Sequence, residues 1–442
     1  MQIRRMIAMI PENIPAPCTQ SGTCYAQILN QELVLALGCT EPIAIAYAAA
    51  TARDTLGCLP EKMMVGCSGN IIKNVKGVIV PGTGSLKGVK PAAILGAVGG
   101  DAAMKLQVLT PITPDHLEKT KELLKTDFCQ VELIENVPNL MIVITATAGK
   151  DQAVVEIRDA HTHITRIEKN GKMLFQDLSV PTCAEDQPLA DYGQMNLSDI
   201  IHFCREGDIT PALDALKRQE KMNTKISMEG IKNPYGERIG ATLLRYYGKQ
   251  DVKIRARALA AAGSDARMSG CVMPVVINSG SGNQGITVTM PVLTYAYELD
   301  VPDEIKYRGL ALSNLTSIYI KKDMGKLSAF CGAVSAACGC GAGITFLSGG
   351  TDQQIGDTIT NTLANVAGIV CDGAKPSCAA KIASAVDAAI LGHLMAMEGR
   401  AFGDGEGIVT DDIDQTIANT ARMGREGMRD TDHEILNIML GK

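Results

Sequence analysis

Two stretches of one region decide the reading: Cys331-Gly-Ala-Val-Ser-Ala-Ala-Cys-Gly-Cys-Gly-Ala-Gly-Ile344 and, after an apolar segment, Cys371-Asp-Gly-Ala-Lys-Pro-Ser-Cys378. Cys371 and Cys378 bracket a loop set by Gly373 and Pro376, between two segments of helical character. Thiolates bind soft metals, and iron-sulfur clusters are held mainly by cysteine, so this loop reads as a metal site before a disulfide. The spacing matches neither the CxxC pairs of structural zinc nor the tight run of a bacterial ferredoxin. In Cys338-Gly-Cys340, cysteine alternates with glycine among small residues. There it reads as a small buried hydrophobe that lets helices approach closely.

Working outward, 442 residues are enough for two or three domains, each with its own core. A formal net charge of -6 with 20% charged residues argues against a nucleic-acid role built on a general basic surface, and points to a small-molecule ligand. Arg4-Arg5 precedes only Met6 to Ile10 before Pro11, which is not a signal peptide, so the fourteen cysteines are expected to be reduced and the protein cytoplasmic. No apolar run is read as reaching the roughly 18 residues that cross a bilayer, so no membrane role is expected. Four per cent aromatic residues with 44 Gly and 20 Met describe a core of small, flexible side chains.

The expected architecture is α+β. An irregular arm covers 1–24, a mixed α/β domain 25–180, and a mainly helical domain 195–442 follows a linker over 178–195 that contains Pro181 and Pro188. The active site is expected between the two domains. A helix is expected from Tyr25 to Leu37 and another after Gly38-Cys39-Thr40-Glu41-Pro42, with Thr40 as N-cap. Cys39 just outside a helix N-terminus would have a depressed pKa. A cysteine that merely packs in a turn fits the same position, and the local sequence favours neither reading.

Met63–Asn70 and Gly77–Gly84 read as strands feeding glycine loops, as does Val275–Ile277 before Gly280-Ser-Gly-Asn-Gln-Gly285. Such loops can hold a carboxylate through backbone N–H groups or serve simply as turns; neither carries a phosphate signature. Residues 130–147 and 153–175 alternate as strands, with Asn170-Gly171 as a hairpin turn. Helices are expected over Pro91–Leu106, Pro114–Lys125, Leu197–Glu206, Gly236–Tyr247, Val252–Met268, Gln354–Val370 and Cys378–Met397. His161 and His163 would share a strand face and, with charged neighbours, read as solvated rather than as ligands.

Cys39-Thr-Glu-Pro42, Asn278-Ser-Gly-Ser-Gly-Asn-Gln-Gly285, and Cys331 followed by Cys371-Asp-Gly-Ala-Lys-Pro-Ser-Cys378 together resemble the L-cysteine desulfidase family, related to the iron-sulfur L-serine dehydratases. The likeness spans nearly the whole chain. It implies a [4Fe-4S] cluster held by Cys331, Cys371 and Cys378, with one iron open to substrate, and α,β-elimination of L-cysteine to sulfide, ammonia and pyruvate. It also implies Cys39 as the base for the α-proton. Fixed donors for the amino-acid carboxylate would be Ser279, Ser281, Asn283 and Gln284, with Ser68 and Asn70 behind them. L-serine dehydration is the nearest alternative, and a non-catalytic metal or redox sensor is the alternative of another class. No stretch combines a Schiff-base lysine with a phosphate loop, so pyridoxal phosphate is not expected. A homodimer is the default for such an enzyme.

Overall fold

The computed structural model describes residues 25–177, 192–325 and 327–442. The arm at 1–24 and most of the linker lie outside the described residues. In chain order the elements begin with α1 (Tyr25–Glu32), β1 (Leu35–Leu37), α2 (Thr40–Leu56), β2 (Lys62–Ser68), α3 (Gly69–Lys76), α4 (Val89–Gly99) and α5 (Pro114–Leu123). Five strands follow: β3 (Cys129–Ile134), β4 (Met141–Ala148), β5 (Asp151–Arg158), β6 (Ile164–Lys169) and β7 (Lys172–Gln176).

The second half is helical except for β8. It comprises α6 (Leu197–Glu206), α7 (Leu213–Lys232), α8 (Ile239–Tyr247), α9 (Val252–Met268), β8 (Pro274–Val276), α10 (Gly282–Glu298) and α11 (Asp303–Lys322). Then come α12 (Gly332–Leu347), α13 (Asp352–Val366), α14 (Cys378–Met397), α15 (Ile413–Arg422) and α16 (Arg429–Leu440). The class is α+β.

The larger sheet has the order β3-β2-β4-β5-β6-β7, parallel only between β2 and β3. Its buried face follows the period of two: Ile142, Ile144 and Ala146 on β4 and Ala153, Val155 and Ile157 on β5 are fully buried. Helix α2 lies against β4 and β5. Asn170 and Gly171 both take positive φ, as the hairpin between β6 and β7 requires. In the helical half, α12 is enclosed by α10, α11, α13 and α14. Its run of Ala, Gly, Ser and Cys is almost wholly buried, because only short side chains let so many helices approach.

Several expectations change. The first helix stops at Glu32, and Leu35–Leu37 instead pairs antiparallel with Pro274–Val276, tying the start of the chain to its second half. Gly77–Gly84 forms no strand; only Ile79 makes a single bridge, to Lys87. The glycine loop at 280–285 is largely the first turn of α10, entered through Ser279 at φ 48° and capped by Ser281. Helix α14 is, contrary to the sequence reading, long and apolar enough to cross a membrane by length and composition, although more than half of that segment is buried in the protein.

Candidate active site

Four helices begin around one small cavity of about 100 Å³. Cys39 is the N-cap of α2, Ser281 of α10 and Cys331 of α12, while Cys378 is the first residue of α14. All four residues line the cavity. Each helix N-terminus carries a partial positive charge and unpaired N–H groups, so their convergence favours negative charge in the space between them.

The three cysteines near the C-terminal half are brought together by backbone pairing. Phe330 and Val370 form an antiparallel bridge, flanked by hydrogen bonds from Cys331 N–H to the Ile369 carbonyl (3.1 Å) and from Cys371 N–H to the Ala329 carbonyl (2.6 Å). This fixes Cys331 beside Cys371. The chain then turns through Gly373, whose φ is +97° and whose missing Cβ would lie 2.2 Å from the Lys73 carbonyl oxygen. Cys378 follows, its N–H bonded to the Lys375 carbonyl (2.9 Å). Asp372, paired with Lys375 and Lys381, ties the loop; burial alone would raise its carboxyl, but the two ammonium groups hold it near pKa 2. Lys375 donates to the Asp372 and Gly373 carbonyls.

Burial, then the neighbouring Cys371 and Cys378, push the Cys331 thiol up to about 12; burial also raises Cys378. Several thiolates this close are stable only against positive charge. Lys321 stands beside Cys331 and Cys371; it is 4% exposed, and its pKa is lowered by burial. Among the described residues no three His, Cys, Asp or Glu side chains could hold a single metal ion. An iron-sulfur cluster spreads its thiolates over different irons, so three cysteines around one cavity suit a cluster better than one ion. Cys338 and Cys340 lie fully buried inside α12 and do not line the cavity.

Cys39 differs from its expected state. It is the N-cap itself, with Thr40 the first residue of the helix, and its Sγ–H donates to Glu41 Oε2 at 3.0 Å. Burial and then the Glu41 carboxylate raise its pKa well above the ordinary thiol value, outweighing Arg267 and the helix end. The resting group is a thiol, not the thiolate that the helix N-terminus alone would favour.

Glu41 is one of the residues the sequence left unassigned. Burial would push its pKa up, but the nearby His161 and the Cys39 thiol hold it at about 2. Asn74 and Thr40 also donate to it, at 3.1 and 3.2 Å. His161 Nε2 lies 3.8 Å from Glu41 Oε1, and His161 is 6% exposed, so it is not on a solvated face. His163 turns away to the Arg158 carbonyl and Asp177.

Of the expected carboxylate donors, Ser281, Asn283 and Gln284 line the cavity. Ser279 does not line it: its left-handed backbone turns its hydroxyl onto Asn278 Oδ1 (3.0 Å). Ser68 and Asn70 line a separate, larger cavity of about 590 Å³, because β2 runs straight into α3 there. Ser68 bonds the Asn139 carbonyl and Asn70 bonds Asp432. Arg267, Lys321 and Asn74, none of them marked in the sequence by a motif, complete the thiol-lined cavity.

The chain is 53% identical over 93% of its length to a UPF0597 protein of Lachnoclostridium phytofermentans, covering 98% of that relative. It is 48% identical to UPF0597 protein DSY1109 of Desulfitobacterium hafniense, over 95% of this chain and 96% of the relative. A UPF0597 protein of Finegoldia magna is 45% identical over 95% and 99%. The family described as serine dehydratase alpha chain matches residues 105–437, which include β8, the loop into α10 and all three clustered cysteines. The likeness read from the motifs is therefore to this dehydratase family at large rather than to desulfidases in particular, and the chain belongs to the serine dehydratase alpha chain family.

Proposed function

We propose that the protein is an iron-sulfur lyase carrying out α,β-elimination on a three-carbon amino acid, with L-cysteine as substrate. The observation that carries this reading is one small cavity lined by Cys331, Cys371 and Cys378 together with Cys39, which is partnered by Glu41. Cys331, Cys371 and Cys378 would hold a [4Fe-4S] cluster. When bound, it supplies a Lewis-acidic iron with a free position for the β-substituent.

The remaining work falls to the chain. Elimination removes the α-proton and the β-sulfur together; L-cysteine gives sulfide and aminoacrylate, which tautomerises and takes up water to give pyruvate and ammonia. Cys39 Sγ, once its thiol proton has gone to solvent, receives the α-proton, and Glu41 Oε2, which the resting thiol faces, orients the sulfur. His161, facing Glu41 Oε1, holds the carboxylate in place behind it. Burial keeps bulk water from competing for that proton.

L-serine dehydration is the second reading, supported by the family description. It is the same elimination with hydroxide as leaving group. Anaerobic assays of pyruvate from each amino acid, with sulfide from cysteine, separate the two. In the same preparation, iron and acid-labile sulfide with a broad visible absorption are expected, and their loss is expected on Cys371→Ala. A Cys39→Ser protein that keeps this spectrum is expected to lose at least about a hundredfold in turnover, the usual contribution of a general base. Full turnover by that variant ends the assignment. As the default state in solution, a homodimer is proposed.

A further inference from the structure

Arg267, in the last turn of α9, lines the thiol-lined cavity and is 2% exposed. Its Nη1 donates to Asn283 Oδ1 at 3.1 Å, and its Nε has no partner. Of the other buried cations, Lys73 pairs with Asp432 and Lys306 with Glu220, while Lys321 donates to Ser328 Oγ at 3.3 Å and stands beside Cys331 and Cys371. Asp265, two residues earlier on the helix, faces Gly236 and Gly240 instead. A guanidinium taken out of water without an anion is strongly disfavoured, and a planar fork of N–H donors matches a carboxylate in particular.

The surrounding backbone is shaped to this group. A Cβ on Gly282 would lie 2.2 Å from Arg267 Nε, so the first turn of α10 comes directly against the guanidinium. The positive end of that helix adds to the same field.

We infer that Arg267 is the residue that takes the substrate's α-carboxylate, with Asn283 steering its guanidinium. This deepens the elimination reading and rests on it. Arg267 acts on the charge of Cys39, whereas Lys321 acts at Cys331 and Cys371. An α-carbon presented to Cys39 has its carboxylate one bond away, on the Arg267 side. The β-substituent then extends toward the three clustered thiols.

The test is binding of L-alanine, which has the carboxylate and amine but no leaving group, against L-alaninamide, which lacks the negative charge. Both are titrated calorimetrically into the anaerobically purified full chain. Wild-type protein is expected to prefer L-alanine, and Arg267→Gln to weaken L-alanine by at least about tenfold, as for a lost charge-assisted pair, without changing the amide. Asn283→Asp retains the arginine but places a carboxylate on it. That variant is expected to melt no lower than wild type and to lose the same preference.

Equal binding of the two ligands by wild type, or unchanged L-alanine binding in both variants, overturns the inference. If pyruvate still forms from cysteine or serine in that case, the elimination reading stands without Arg267. If no pyruvate forms but the variants lose L-alanine, the clasp stands and the elimination falls.

Discussion

At the scale of single residues, the pairing of Cys39 with Glu41 sets the behaviour of the site with pH. Glu41 is held ionised down to about pH 2, against an ordinary carboxyl value of 4.5. Its folded pKa lies below its unfolded one. The stability it contributes is therefore present above about pH 4.5 and drains away as pH falls from there toward 2. Glu41→Gln is expected to lower the melting temperature at pH 7 and to flatten its decline between pH 5 and 3, as read by calorimetry.

Asp265 has the opposite sign: burial raises it from 3.8 to about 6, and Oδ1 has no partner. It is tolerated protonated and costs stability as pH rises through that interval, by roughly 1–3 kcal/mol. Asp265→Asn is expected to be more stable than wild type at pH 8 and no better at pH 3.5. His161 shows why the sequence concealed a residue of this site. Its neighbours Asp159 and Arg158 are charged, yet the turn after β5 folds it beneath the start of α2, a contact 120 positions away.

At the scale of elements, legibility followed local signals. Leu197–Glu206, Val252–Met268 and Cys378–Met397 were readable to the residue because periodic apolar positions begin and end at clear boundaries. Helix α10 was not. It opens on Gly282 and Gly285, whose glycines read as a loop, carries Pro291 inside, and is held helical by burial on nearly every side. Three of the cavity cysteines stood out by spacing and resemblance, whereas Arg267 and Lys321 sit inside helices with no motif around them. The loop between α13 and α14 is the most exacting element. Gly373→Ala would force a side chain into a left-handed conformation and against the Lys73 carbonyl. Iron per chain is expected to fall by more than half, with a melting temperature changed by only a few degrees.

At the scale of the whole molecule, α16 returns the C-terminus to α3, where Asp432 pairs with the fully buried Lys73 and accepts from Asn70 Nδ2 at 2.7 Å. Removing one member of a buried pair leaves the other charge uncompensated, so Asp432→Ala is expected to cost about 3 kcal/mol in denaturant unfolding. Faster amide exchange in α3 and α16 should accompany that loss.

The short ladder between Leu35–Leu37 and Pro274–Val276 has a consequence for synthesis. A nascent chain has made both cysteine-bearing ends of the cavity only after some 340 further residues have followed Cys39. Its opening segment must therefore wait on the ribosome without its partner strand. A fragment ending before α14 lacks Cys378, and with it one of the three clustered thiols of the cavity.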